Sequence, residues 1–133
     1  MTDELWVCHL PVIEYRAALE LQERVRAARQ EERIPDTLLL LEHPPVYTRG
    51  RRSDPAELTM GEAWYRAQGI DVVDTNRGGR VTYHGPGQLV GYPIMRVRSV
   101  PDYILTMERA IVAALAAQFL SALRKKLEAW PIN

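Results

Sequence analysis

The sequence predicts an α/β domain, a two-layer sandwich with a mixed β-sheet. Three observations carry that prediction: segments rich in strand formers alternate with segments of helical periodicity, hairpin-like glycine turns punctuate the middle of the chain, and the apolar run Thr37 to Glu42 is bounded by prolines on both sides, as a buried strand is. At 133 residues the chain is one domain by length. A domain of that size buries about two thirds of its unfolded surface.

Leu5 to Leu10 alternates weakly and forms a short strand. Tyr15, Leu19, Gln22, Val25 and Arg29 recur at helical spacing, which predicts a helix from about Ile13 to Glu32, stopped before Pro35 because a residue preceding proline is disfavoured in the α region. Thr37 to Glu42 is the buried strand, and His43-Pro44-Pro45 is extended after it. Gly50 to Thr59 is polar and contains breakers, hence a loop; Gly61 to Gln68 is a short amphipathic helix with Gly69 as its C-cap. Ile70 to Asp74 and Val81 to Tyr83 are strands on either side of a Gly78-Gly79 turn, and Gln88 to Ile94 is a further strand. Pro101-Asp102 opens the last helix, which carries Ile104, Met107, Ile111, Leu115 and Phe119 on one stripe and persists to about Ala129.

Charge and cysteine usage narrow the class. Seventeen basic residues balance seventeen acidic ones, so no global field argues for nucleic acid or a membrane as partner. Cys8 stands alone, which precludes an intrachain disulfide and fits a reducing cytoplasm. The acidic N-terminal residues, Met1 to Val7, lack the apolar stretch of a signal peptide, and the longest apolar runs, Leu38 to Leu41 and Ala110 to Ala117, fall short of a membrane span. A soluble cytoplasmic protein is expected. None of His9, His43 and His84 has metal-ligand spacing, so no metal is indicated, and no cofactor is expected.

Asn76 to Pro93 is the segment that reads as a site. Five glycines are interleaved there with β-formers, two tyrosines, a histidine and a glutamine. Glycine inside a strand-rich stretch is expected where φ is positive or where backbone approaches closely. Arg77-Gly78-Gly79 before a strand is suited to cradle an anion, the glycines turning backbone N–H groups inward and the arginine adding charge, though an ordinary turn has the same spelling. Alternation along the next strand sends Thr82 and His84 to one face and Tyr83 to the other.

These residues resemble a known family. Arg77-Gly78-Gly79, Thr82-Tyr83-His84-Gly85-Pro86-Gly87-Gln88-Leu89-Val90 and Tyr92-Pro93 are similar to the signature of the lipoyl(octanoyl) transferases, and Leu38 to Thr48 followed by Gly50-Arg51 is similar to the family's earlier motif. The resemblance implies the fold of the biotin and lipoate protein ligases. It implies octanoyl transfer from octanoyl-acyl carrier protein to the lysine of lipoyl domains of 2-oxoacid dehydrogenases and of the glycine cleavage H protein. It also implies that Arg77, Gly78, Gly79, Arg80, Val81, Thr82, Tyr83 and His84 line the pocket for the acyl substrate, with glycine backbone as its wall and Tyr83 and His84 as its polar edge. His84 is assigned positioning and His43 a structural role. Gly79→Val is expected to block the site while leaving the fold largely intact.

The resemblance runs from about residue 5 to residue 119, so residues 1–119 are expected to be the N-terminal part of the catalytic domain and residues 120–133 a divergent helical tail. The family's nucleophilic cysteine, in a Pro-Cys-Gly context, and its activating lysine have no matching residue here. Cys8 is expected to be a small hydrophobe of a strand, and Lys125 and Lys126 lie outside any family motif. No catalytic residue is therefore assigned, and activity of this chain alone is expected to be impaired. A frameshift, a premature stop or a fragmentary gene model is the expected origin of the short chain. Two other readings stay open: an ATP-dependent lipoate or biotin ligase, which usually has a third glycine and an aspartate where this chain has Arg80 and Gly85, and a non-catalytic acyl-binding module. Arg49, Arg51, Arg52, Arg80, Arg96 and Arg98 crowd the loops near the motifs and form a candidate docking patch for an acidic carrier protein.

The purified chain is expected to accumulate no octanoyl thioester when given octanoyl-acyl carrier protein. Intact mass spectrometry checks this, and a hydroxylamine-sensitive adduct on Cys8 would contradict it.

Overall fold

The structure is a computed structural model that describes residues 4–128; Ala129, the expected end of the last helix, and the rest of the tail lie outside the described residues. The chain divides after Met95 into two units. The first holds six strands in two mixed sheets together with two helices. The second holds one long helix.

In the first sheet, β1 (Leu5–Val12) lies parallel to β2 (Asp36–Glu42), and β6 (Val90–Ile94) runs antiparallel on the other side of β2. The expected buried strand is therefore the central one, with Thr37, Leu39 and Leu41 buried in alternation. Pro93 cannot donate to a ladder, and it sits opposite Leu38 on an edge strand, where its missing N–H costs least. Helix α1 (Tyr15–Gln30) makes the parallel crossover from β1 to β2. Its N-terminus is capped by the Glu14 carboxylate, which accepts from Ala17 N at 2.9 Å. It ends two residues before the expected boundary because Glu32 enters the left-handed region at φ 56 and donates back to Arg29 O.

The second sheet contains a strand the sequence does not announce. β3 (Val46–Arg49) follows Pro44-Pro45 directly and forms the centre of the order β4-β3-β5. β4 (Asp71–Asp74) pairs with it in parallel and β5 (Val81–His84) antiparallel. The expected α/β class with mixed strands holds; the described strands divide into two sheets of three, and the Gly78-Gly79 turn does not close a hairpin, because β4 and β5 flank β3 on opposite sides instead of pairing. The loop after β3 holds a short 3-10 turn, Pro55–Glu57, with a capping box formed by Asp54 and Glu57; α2 (Glu62–Ala67) follows, and Gly69 at φ 77 closes it as expected.

Side chains on the second sheet sort by face. Val46 and Val73 pack with Tyr15 of α1 in a small core that Leu19 extends. On the other face Tyr47 meets Tyr65 of α2 and Tyr83 of β5, each pair with ring centroids 5.2 Å apart. Ion pairs clip the surrounding elements together: Arg16 of α1 holds Asp71, and Arg49 bridges Asp74 and Glu62. Such exposed pairs are worth about 0–1 kcal/mol each, so they position more than they stabilise.

The second unit is α3 (Val100–Glu128). Ser99 starts it, its Oγ accepting from Asp102 N at 3.4 Å and its carbonyl from Tyr103 N at 3.0 Å. The expected apolar stripe is present, and Ile111, Leu115 and Phe119 on it are all more than half exposed. By length and composition Val100–Lys125 could cross a membrane, a test that the separate apolar runs of the sequence do not meet and that core helices of soluble proteins also pass.

Candidate functional site

Arginine 77 organises the site. After β4, Thr75 ties the chain to β3 through its N–H and its hydroxyl, both donated to Arg49 O. Two residues later the Arg77 guanidinium turns inward: Nη2 donates to Thr48 O and to Thr48 Oγ1, at 2.7 Å each, and Nη1 donates to Gly78 O at 3.2 Å. Thr48 is fully buried, so these charge-assisted bonds anchor the glycine turn to the middle of the sheet. The loop after β3 then closes over the turn. Arg51 N donates to Arg77 O at 3.0 Å and Arg52 N to Gly79 O at 2.9 Å.

The glycines of this region have different reasons to be glycine. A Cβ on Gly50 would stand 2.6 Å from Gly79 O, so backbone approaches backbone too closely for any side chain. Gly79 has φ +93, strained for any other residue, and a Cβ there would also face Arg77 Nη1 at 3.3 Å. Gly78 is neither: a Cβ on it meets nothing within 4 Å. The expectation that Gly79→Val leaves the fold intact is thus corrected, since a β-branched residue fits that backbone poorly. Gly78 is the position where bulk can be added without disturbing the protein.

A cluster of rings adjoins the turn on the α1 face. His43 is 0% exposed; its Nδ1 lies 2.8 Å from Ile13 O and its Nε2 2.7 Å from the Tyr92 hydroxyl. A carbonyl only accepts, so Nδ1 carries the proton and Nε2 accepts from Tyr92. His84 of β5 stacks on Tyr15, centroids 6.0 Å apart and planes 14° from parallel, and sits edge-on to His43 at 5.6 Å. Burial raises the Tyr92 and Tyr15 phenols, which stay protonated.

Next to these rings α1, β4 and the turn frame a cleft of about 640 Å³, whose wall includes Tyr15, Gln22, Asp74, Thr75, Arg77 and Tyr92. That lies within the usual size range of small-molecule sites, about 300–1,000 Å³. Of the eight residues expected to line a pocket, Arg77 lines this cleft. Thr82 and His84, paired across from Thr48 and Val46, share the α1 face, and Tyr83 lies on the opposite face, as alternation requires. Arg80 is turned to Glu57 at 2.6 Å and Arg49 is held by Asp74 and Glu62, whereas Arg51 and Arg52 are exposed and make no ion pair among the described residues. Tyr15, Gln22 and Tyr92 also line the cleft, and helical spacing and strand alternation do not distinguish them from core. Cys8 lies elsewhere, with Trp6 and Leu10 in an apolar groove beneath α1.

Comparison with known proteins shows the family. Residues 14–127 match the family described as the lipoyl protein ligase A/B catalytic domain. The chain is 44% identical over 117 residues to an octanoyltransferase of Caldicellulosiruptor bescii, covering 85% of this chain and 51% of that one. It is 49% identical over 113 residues to one of Rubrobacter xylanophilus, with 83% and 51% covered, and 45% identical over 107 residues to one of Streptomyces coelicolor, with 78% and 38% covered. The chain spans about half the length of such relatives, or less.

Burial holds the His43 imidazole below its ordinary value of 6.5; the bond to Ile13 O opposes this and His84 adds to it. The folded state therefore disfavours the proton. Stability from this group is complete above the unfolded pKa near 6.5 and is lost as pH falls below it. Thermal melts from about pH 8 to about pH 5 are expected to show a midpoint that declines below about 6.5, and His43→Asn should flatten the decline. An equal slope in the variant would contradict the assignment.

Proposed function

The chain belongs to the lipoyl protein ligase A/B catalytic domain family, and from that premise we propose that it carries the acyl-binding wall of an octanoyltransferase. The donor is octanoyl-acyl carrier protein, and the acceptor is a lysine of a lipoyl domain, on 2-oxoacid dehydrogenases or on the glycine cleavage H protein, in the cytoplasm. The observation that carries this reading is the glycine turn clamped between Arg77, Thr48 and the Gly50 loop, a rigid backbone wall beside a cleft of fitting size.

The chemistry suits those parts. Burying acyl methylenes is worth about 0.8 kcal/mol each, which rewards a wall without protruding polar side chains. A thioester carbonyl adds a demand for a few fixed donors. Gly78 and Gly79 supply backbone, Val81 and Thr82 continue the wall, and His84 gives it a polar edge. Tyr83 and Arg80 act from its outer side, and Arg77 works through the turn, since its guanidinium is already engaged by Thr48. The nucleophile and its activator come from the part of the domain that matches nothing in this chain. Arg51 and Arg52 offer exposed positive charge to an acidic carrier protein.

The test uses a chimera in which this chain is completed with the remainder of the Rubrobacter xylanophilus relative. Gly78→Val is expected to lower octanoyl transfer by about 10²-fold with an unchanged thermal midpoint, because the open space at Gly78 is where the substrate lies. Arg51→Glu with Arg52→Glu should weaken carrier-protein binding and remove its salt dependence. Full activity in a folded Gly78→Val chimera would contradict the proposal.

A further inference from the structure

The turn Gly85–Gln88 is built to hold one side chain against another. Gly85 is buried, and a Cβ on it would run into the Tyr83 phenol, whose Cζ would lie at 2.8 Å. Gly87 has φ +86, and its N–H donates to the Glu42 carboxylate at 2.7 Å, which fastens the turn to the end of β2. Gln88 N donates to Gly85 O at 3.1 Å and closes it. Pro86 removes further freedom at its own φ. Within this frame the Gln88 amide reaches back four residues, and its Oε1 lies 2.9 Å from His84 Nδ1.

A carbonyl oxygen only accepts, so the His84 proton resides on Nδ1. His84 Nε2 then carries the lone pair. Nε2 has no hydrogen-bond partner among the described residues, and the ring is held by its stack on Tyr15 and its edge contact with His43. His43 is engaged at both of its nitrogens, to Ile13 and Tyr92, so it cannot exchange roles with His84.

We propose that Gln88 is a positioning residue: it fixes the Nδ1–H tautomer of His84, leaving Nε2 as the acceptor for an N–H of the amine that receives the acyl group. This rests on His84 bordering the acyl site. The contact orients the amine so that its own lone pair faces the thioester carbonyl carbon; as the C–N bond forms the C–S bond breaks, the departing thiolate takes up the proton the amine loses, and no bond is made or broken at His84. Glu42 supports the arrangement through Gly87 and does not touch the imidazole.

The tautomer is measured on the chain itself, by ring nitrogen chemical shifts in histidine-labelled protein. The expected result is a protonated Nδ1 and an unprotonated Nε2 for His84. In Gln88→Leu the Nδ1–H population should fall at least about threefold, and in Gln88→Glu, whose carboxylate can only accept, it should be retained. In the chimera described above, Gln88→Leu should lower kcat about tenfold with KM unchanged, and Gln88→Glu should restore it. An unprotonated Nδ1 in the parent chain, or failure of Gln88→Glu to keep the tautomer, would overturn the proposal at its base whatever the chimera does. The expected tautomers with a kcat indifferent to both substitutions would overturn the role in transfer, and with an active chimera would leave the acyl-site reading standing.

Discussion

Two hydrogen bonds from one guanidinium nitrogen hold this site together. Thr48 lies at the centre of β3 with no exposed surface, and both its carbonyl and its hydroxyl accept from Arg77 Nη2. Hydrogen bonds to charged groups are worth about 1.5–3 kcal/mol each, and an acceptor left unpaired at such depth costs comparably. The turn that carries Gly78 and Gly79 is thereby fixed to the sheet, and the fixed turn in turn accepts the N–H groups of Arg51 and Arg52. Gly50 must be glycine for that closure to occur. The same interaction commits the Arg77 guanidinium to Thr48 within the protein.

The α1 helix supplies the opposite wall. Tyr15, at its first turn, packs on Val46 and Val73 and also on His43 and His84, so one residue links the core of the second sheet to the ring cluster. This core is small, and in α3 no side chain through Lys125 is buried.

Much of this was legible in the residues. Helical spacing located α1 and α3, and the proline-bounded run from Thr37 to Glu42 gave the central strand of the first sheet, because these signals are local and long. β3 was hidden: four residues directly after Pro44-Pro45 carry too little alternation to be recognised, although the strand is the centre of its sheet. With β3 missing, the separation into two sheets and the order β4-β3-β5 could not be inferred, since parallel pairing of Val46 with Asp71 joins segments that share no turn. Of the motif from Arg77 to His84, Arg77 lines the cleft beside α1. The direction of the Arg77 side chain and the contacts of His43 with Ile13 and Tyr92 depend on tertiary partners that no spacing reveals.

Amide hydrogen exchange tests the central constraint directly. If the Arg77 guanidinium anchors the turn, the N–H groups of Arg51 and Arg52 are protected in the parent chain and lose that protection in Arg77→Met, about tenfold or more in exchange rate, while the β2 amides keep theirs. Protection of Arg51 and Arg52 that survives the substitution would show that the loop and turn hold each other without Thr48, and would contradict the account.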